Sequence, residues 1–199
     1  MPTIQKPNSK RNSTYIGGTI KSTSKVAQLT RPPTGSRDIR LLAIDPSINN
    51  VGFATWTSKR QEWDWGVVQP RRGRVPFVME SIFANLQLAM KFPIAEITDL
   101  VVEYPAFYEG TKGAIAAKAG YTLDLACIAG YIAGRCNIFS LHIHYFTAPQ
   151  WKGQQPKSAI DHRFRKIFGD MAANSTTDHE QESVMLGRFY LKETCKLAI

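Results

Sequence analysis

Five side chains able to hold a hard cation are scattered along the chain, each at a point where an element should end or begin. Asp45 closes the apolar run Leu41-Leu42-Ala43-Ile44, and Glu103 closes Leu100-Val101-Val102. Asp178, His179 and Glu182 open a helical stretch near the C-terminus. A carboxylate at the end of a buried strand is strongly unfavourable unless a positive group sits beside it. Two such strand ends and an acidic helix start therefore suggest a metal-binding carboxylate cluster. Phosphodiester hydrolysis needs a water made nucleophilic near neutral pH and a counter-charge for the leaving oxygen, and two cations about 3.5–4 Å apart supply both. Mg²⁺ suits oxygen ligands from several elements, with Mn²⁺ as the alternative. The expected division has Asp45 bridging two ions and Glu103 holding one. Glu182, with Asp178 or His179, would hold the other.

Spacing leaves the helix register open. His179 with Glu182 is an i, i+3 pair and Asp178 with Glu182 an i, i+4 pair, and either places two side chains on one helix face about 5–6 Å apart at Cβ. Asp178 equally suits the helix N-cap, where its carboxylate would accept from free N–H groups of the first turn. Asp45 before Pro46 also suits a turn, and Glu103 a solvated strand end.

The elements that must position these residues follow from periodicity. Strands are expected at 41–44, 51–56, 62–68, 100–103 and 141–146, and the first two form a hairpin across the turn cluster Pro46-Ser47-Ile48-Asn49-Asn50. Val78, Ile82, Leu86 and Met90 fall at four-residue steps, predicting a helix over 77–90. Further helices are expected at 114–136, 158–168 and 178–196, with a polar loop over 169–177. An antiparallel meander followed by alternating strands and helices predicts an α/β fold, a mixed five-stranded sheet with helices on both faces. Residues 1–37 carry Lys6, Lys10, Arg11, Lys21, Lys25, Arg31 and Arg37 among Ser, Thr, Gly, Pro and Asn, with no acid. That segment reads as a disordered basic arm, and 38–199 as the folded domain.

The 199 residues suffice for one domain, and the net charge of +9 points to a polyanionic partner, nucleic acid before a membrane surface. Cys127, Cys136 and Cys195 form no close-spaced pair, which disfavours a disulfide framework or zinc knuckle and favours a reducing compartment. No apolar run reaches the roughly 18–20 residues of a membrane span. A cytoplasmic protein is expected, although the Arg/Ser/Thr-rich N-terminus faintly resembles an organelle transit peptide.

Asp45-Pro46-Ser47 followed by Gly52-Phe53-Ala54 resembles the first two strands of RuvC-like Holliday junction resolvases, within the ribonuclease H-like superfamily. Val101-Val102-Glu103-Tyr104-Pro105 is similar to that family's fourth-strand segment, and 178–183 to its C-terminal helix motif. Residues 151–157 resemble a segment of phage-type members. The resemblance covers roughly residues 38–195. It implies a ribonuclease H-like fold, a two-ion Mg²⁺ site and a homodimer making paired cuts in four-way junctions. The final ligand in that family is usually Asp, and Glu182 departs from it.

Further candidates concern the nucleic acid. Arg71, Arg72 and Arg74 make a loop suited to phosphates, and Lys112 is a candidate DNA contact. Phe107 and Tyr108 could stack on a base at a branch point, where stacking contributes about 1–3 kcal/mol per base. Lys152 and Lys157 could contact the scissile phosphate, with Lys157 also stabilising developing charge. Arg163, Arg165 and Lys166 could extend the contact surface. His142 and His144 alternate on one strand face, and a structural role suits them better than a metal. The leading expectation is a crossover-junction endonuclease. A nuclease acting on RNA or RNA–DNA hybrids is the second reading, and a non-catalytic nucleic-acid binding module the third.

Overall fold

Strand β1 (Arg40–Asp45) sets the architecture, because Leu41 and Ala43 point to one side, Leu42 and Ile44 to the other, and all four are fully buried. A strand apolar on both faces must be covered on both. The computed structural model describes residues 37–70, 75–105, 120–137, 142–153 and 155–199. With β2 (Val51–Thr57), β3 (Glu62–Val68), β4 (Asp99–Tyr104) and β5 (His142–Thr147), β1 forms a five-stranded sheet of order β3-β2-β1-β4-β5. The β1–β2 and β2–β3 pairs are antiparallel, and β1–β4 and β4–β5 are parallel. This is the mixed α/β arrangement the sequence predicts.

Helices α1 (Val75–Ala89) and α2 (Tyr121–Asn137) cover the face carrying Leu42, Ile44, Leu100 and Val102. The opposite face, with Leu41, Ala43 and Val101, is covered by α3 (Ala148–Trp151), α4 (Lys157–Phe168), α5 (Asp170–Asn174) and α6 (Asp178–Glu193). Helix α6 approaches the sheet closely because Gly187 has no side chain; a Cβ there would meet Trp63 at 2.8 Å and the Ala43 Cβ at 3.1 Å.

Several boundaries differ from the periodicity. Segment 169–177 is not a continuous loop: Gly169, at φ +86°, turns the chain straight into α5, whose Ala172 and Ala173 are buried. Helix α6 stops at Glu193 rather than 196. Its N-cap is Thr177, not Asp178: the Thr177 hydroxyl accepts from the Glu180 N–H, and the Glu180 carboxylate accepts from the Thr177 N–H at 2.6 Å. This is a capping box, and Ser/Thr with Glu three residues on is its sequence signature. Residues 1–36 of the expected arm, Arg71, Arg72, Arg74, Phe107, Tyr108, Lys112 and 114–119 of the expected helix lie outside the described residues. Among the described residues, no helix is long and apolar enough to cross a membrane.

Candidate metal centre

The parallel register of β1 and β4 runs from Leu41 opposite Asp99 to Ile44 opposite Val102. One step further, Asp45 ends β1 and Glu103 is the penultimate residue of the adjacent β4. Alternation places both with Leu41, Ala43 and Val101, on the face that α6 covers. Helix α6 meets them with its first turns. Gly52 is Asp45's partner across the hairpin, and a Cβ at Gly52 would fall 2.1 Å from the His179 carbonyl oxygen. Glycine at that strand position lets the helix start rest on the sheet.

Oxygens of Asp45, Glu103 and Glu182 consequently lie within 4.8 Å of one another, with Asp45 and Glu182 buried and Glu103 partly so. Their surroundings are unequal. Glu103 Oε2 accepts from the Trp151 indole N–H at 2.7 Å and lies 3.5 Å from the Lys152 ammonium. Glu182 Oε2 accepts from Lys152 at 2.8 Å, whereas the buried Glu182 Oε1 has no hydrogen-bond partner among the described residues. Asp45 Oδ2 lies 2.6 Å from His179 Nδ1; with the carboxylate accepting, the ring proton is on Nδ1 and Nε2 carries the free lone pair.

Electrostatics follow from crowding. Burial pushes the Asp45 carboxyl up, opposed by the His179 hydrogen bond. Burial, then the neighbouring Asp45, raises Glu103 to about 7 despite Lys152 and Trp151. The hydrogen bond to Asp45 raises His179 against its own desolvation. Burial works against the Lys152 ammonium, but Glu103, Glu182 and Asp45 together outweigh it and hold that group above its ordinary value. Three hard oxygen donors crowded together, one buried oxygen left without a donor and a site short of positive charge fit a divalent cation.

The remaining sequence candidates fall elsewhere. Asp178 stands outside the carboxylate cluster, 65% exposed and 3.3 Å from Lys157, which is itself 68% exposed. Lys152, expected at a phosphate, is instead drawn into the carboxylates. Sequence reasoning missed this role and that of Trp151. The available signal was Thr147 three residues before Gln150, a capping box that starts α3 directly at the end of β5 and turns its last residues toward Glu103, the register partner of Phe146. Arg163 and Lys166 are exposed on α4, whereas Arg165 bonds Asp161 at 2.7 Å. His144 packs against the Tyr190 ring with centroids 4.7 Å apart, a structural position, and His142 is exposed.

No protein-family model matches the chain. No curated protein matches it either. Solved structures do, among them Thermus thermophilus RuvC in complex with a Holliday junction substrate, at 18% identity and a TM-score of 0.55. That match covers 78% of this chain and 96% of RuvC. The fold is RuvC-like, of the ribonuclease H-like type.

Proposed function

We propose that the chain is a metal-dependent endonuclease that nicks branched DNA and resolves four-way junctions. The observation that carries this reading is the Asp45–Glu103–Glu182 cluster with its unpartnered Glu182 Oε1, at the strand ends of a RuvC-like fold. Asp45, Glu103 and Glu182 would hold divalent ions, Mg²⁺ or Mn²⁺, and His179 would either add Nε2 as a ligand or hold a proton there. The bound ions would supply a nucleophilic hydroxide and neutralise charge on the phosphate. Trp151 keeps Glu103 oriented through its indole N–H. The Asp45 carboxylate fixes the imidazole of His179, and Gly52 lets the His179 backbone at the start of α6 rest close on the sheet. Asp178 is better assigned to the rim, with Lys157 beside it as a phosphate contact.

DNA is the proposed substrate because the chain carries +9 overall and the structurally similar RuvC is in complex with a junction. Arg163 and Lys166 on α4, with Arg71, Arg72, Arg74, Lys112, Phe107 and Tyr108, belong to the proposed contact surface. Two cuts across one junction require two centres, so a homodimer is part of the proposal. Helix α2 offers a face for it: Leu123 and Cys127 are exposed, and among the described residues nothing fills the space where a side chain would stand at Gly130 and Gly134.

Cleavage of a synthetic four-way junction with Mg²⁺, with and without chelator, tests the reading, alongside duplex, single-stranded and RNA–DNA hybrid substrates. Junction strands should be nicked in a metal-dependent way. Asp45→Asn should abolish nicking while the junction still binds. Cleavage by that variant at the unsubstituted rate would discard the mechanism, and preference for the hybrid would move the substrate to RNA.

A further inference from the structure

Lys152 is the one ammonium drawn into the cluster among the described residues. It is 17% exposed, lies 2.8 Å from Glu182 Oε2 and 3.5 Å from Glu103 Oε2, and rests 4.9 Å from the centre of the Trp151 ring. Glu103 Oε2 also carries the Trp151 hydrogen bond, so this half of the cluster is filled. The other half is not. There Glu182 Oε1 is buried without a partner among the described residues, and Asp45 has His179 beside it. The carboxylates are thus divided between a side holding a built-in cation and a side that lacks one.

Charge balance agrees with the division. With His179 neutral, three carboxylates and one ammonium leave a deficit that one divalent ion neutralises, whereas two divalent ions beside the same ammonium would leave the site positively charged. We propose that Lys152 occupies the place of one of the two cations, so that the free protein takes up one divalent ion readily and the second only when the Lys152 side chain swings out. This rests on the metal reading of the cluster. The swing needs no backbone rearrangement, because lysine carries its charge on a flexible four-carbon stem. Lys152 is also the C-cap of a four-residue helix and precedes Gly153, at φ +62°.

The device has a functional consequence. A DNA phosphate arriving at the rim offers the ammonium another anion. Substrate binding and uptake of the second ion then favour each other, and by linkage the coupling is reciprocal. Full two-ion occupancy would be reached with substrate in place, which restrains the centre when no DNA is bound.

Calorimetric titration of the full chain with Mn²⁺ alone tests this, comparing the unsubstituted protein with Lys152→Met, which keeps the length of the stem and removes the charge. The unsubstituted protein should bind one ion, with the second weaker by about tenfold or more, as expected for a positive neighbour a few ångströms away. Lys152→Met should bind two ions, the second tightened by a similar factor. Its metal-free melting temperature should fall and recover with Mn²⁺. Two equivalent ions in the unsubstituted protein, or no change of the second affinity in Lys152→Met, would overturn the inference and leave the metal centre standing. No uptake by either protein would remove both. Should Lys152→Met fail to fold, the unsubstituted stoichiometry still decides, and Lys152→Arg should retain the single-ion behaviour.

Discussion

Replacing Gly52 by alanine adds one methyl group, and its consequence can be worked out from the geometry. The new Cβ would lie 2.1 Å from the His179 carbonyl oxygen and 2.5 Å from its carbonyl carbon, where ordinary contact begins at 3.4 Å. Relief requires α6 to lift by about 1.3 Å, the difference between the first and last of these distances. No side chain can rotate away, since the obstacle is backbone in a helix turn fixed by the Thr177–Glu180 capping box. Alanine in a strand is intrinsically better than glycine by about 0.5–1 kcal/mol. Overpacking against a rigid neighbour opposes it by about 1–3 kcal/mol, and a backbone obstacle belongs at the upper end. The net loss is then about 2 kcal/mol, which lowers the melting temperature of a domain this size by about 4–8 °C. The same lift would take the 2.6 Å contact between His179 and Asp45 to about 3.9 Å, outside hydrogen-bond reach.

Gly52→Ala should therefore melt lower and bind Mn²⁺ more weakly at once, measured by thermal denaturation and calorimetry. Gly130→Ala is the control. Among the described residues nothing lies within 4 Å of its Cβ position, and it sits inside exposed helical backbone, so alanine there should stabilise by about 0.5–1 kcal/mol. A Gly52→Ala protein that melts at or above the unsubstituted temperature with unchanged Mn²⁺ affinity would refute the account of how α6 is seated.

Trp151→Phe keeps most of the buried ring and deletes the 2.7 Å bond to Glu103, so stability should fall by only about 1 kcal/mol while junction cleavage drops more steeply; equal cleavage would show that Glu103 does not depend on that bond. Thiol labelling at pH 8 should modify exposed Cys127 and spare Cys136, whose thiol is buried and pushed up to about 12. Rapid labelling of Cys136 in the native protein would contradict its place in the α2 face of the core.

The sheet was legible because the apolar runs at 41–44 and 100–102, each closed by a carboxylate, are short-range information. Each strand names its own faces, and the carboxylates at 45 and 103 follow by parity. The helix register was legible in principle as well. Helix residues are about 100° apart, so stepping back from buried Leu186 places His179 within about 20° of it and Glu182 within about 40°, whereas Asp178 falls about 80° away. Spacing between the acids alone cannot make that choice; the apolar stripe beneath them can. Lys152 was not legible in this way. A lysine before the polar stretch Gly153-Gln154-Gln155 has the composition of a surface residue, and only the packing of α3 against the end of β4 brings it among the carboxylates. Helix α5 was hidden for a related reason, because five residues are too few to display a period.

Strand β4 carries an acid at each end of the same face, and the two are treated in opposite ways. Asp99 is fully buried and fully partnered: Arg37 pairs with it, the Thr98 hydroxyl donates at 2.6 Å and the Tyr190 hydroxyl at 2.5 Å. Glu103 has one indole N–H, a shared ammonium and a carboxyl raised to about 7. Helix α6 spans both ends. Glu182 to Tyr190 is about 12 Å of helix and Asp99 to Glu103 about 13 Å of strand, so the helix runs antiparallel to β4 with Tyr190 fastened to Asp99 and Glu182 set beside Glu103. The fold thus satisfies a buried carboxylate completely at one end of this pair of elements. At the other end it brings three together and leaves one oxygen without a donor. A packing defect would be expected to fall anywhere along the interface. A deficit of positive charge that falls where two parallel strands and a helix start converge is what the proposed cation-dependent centre requires, and Tyr190 on Asp99 is the far anchor that keeps Glu182 in register for it.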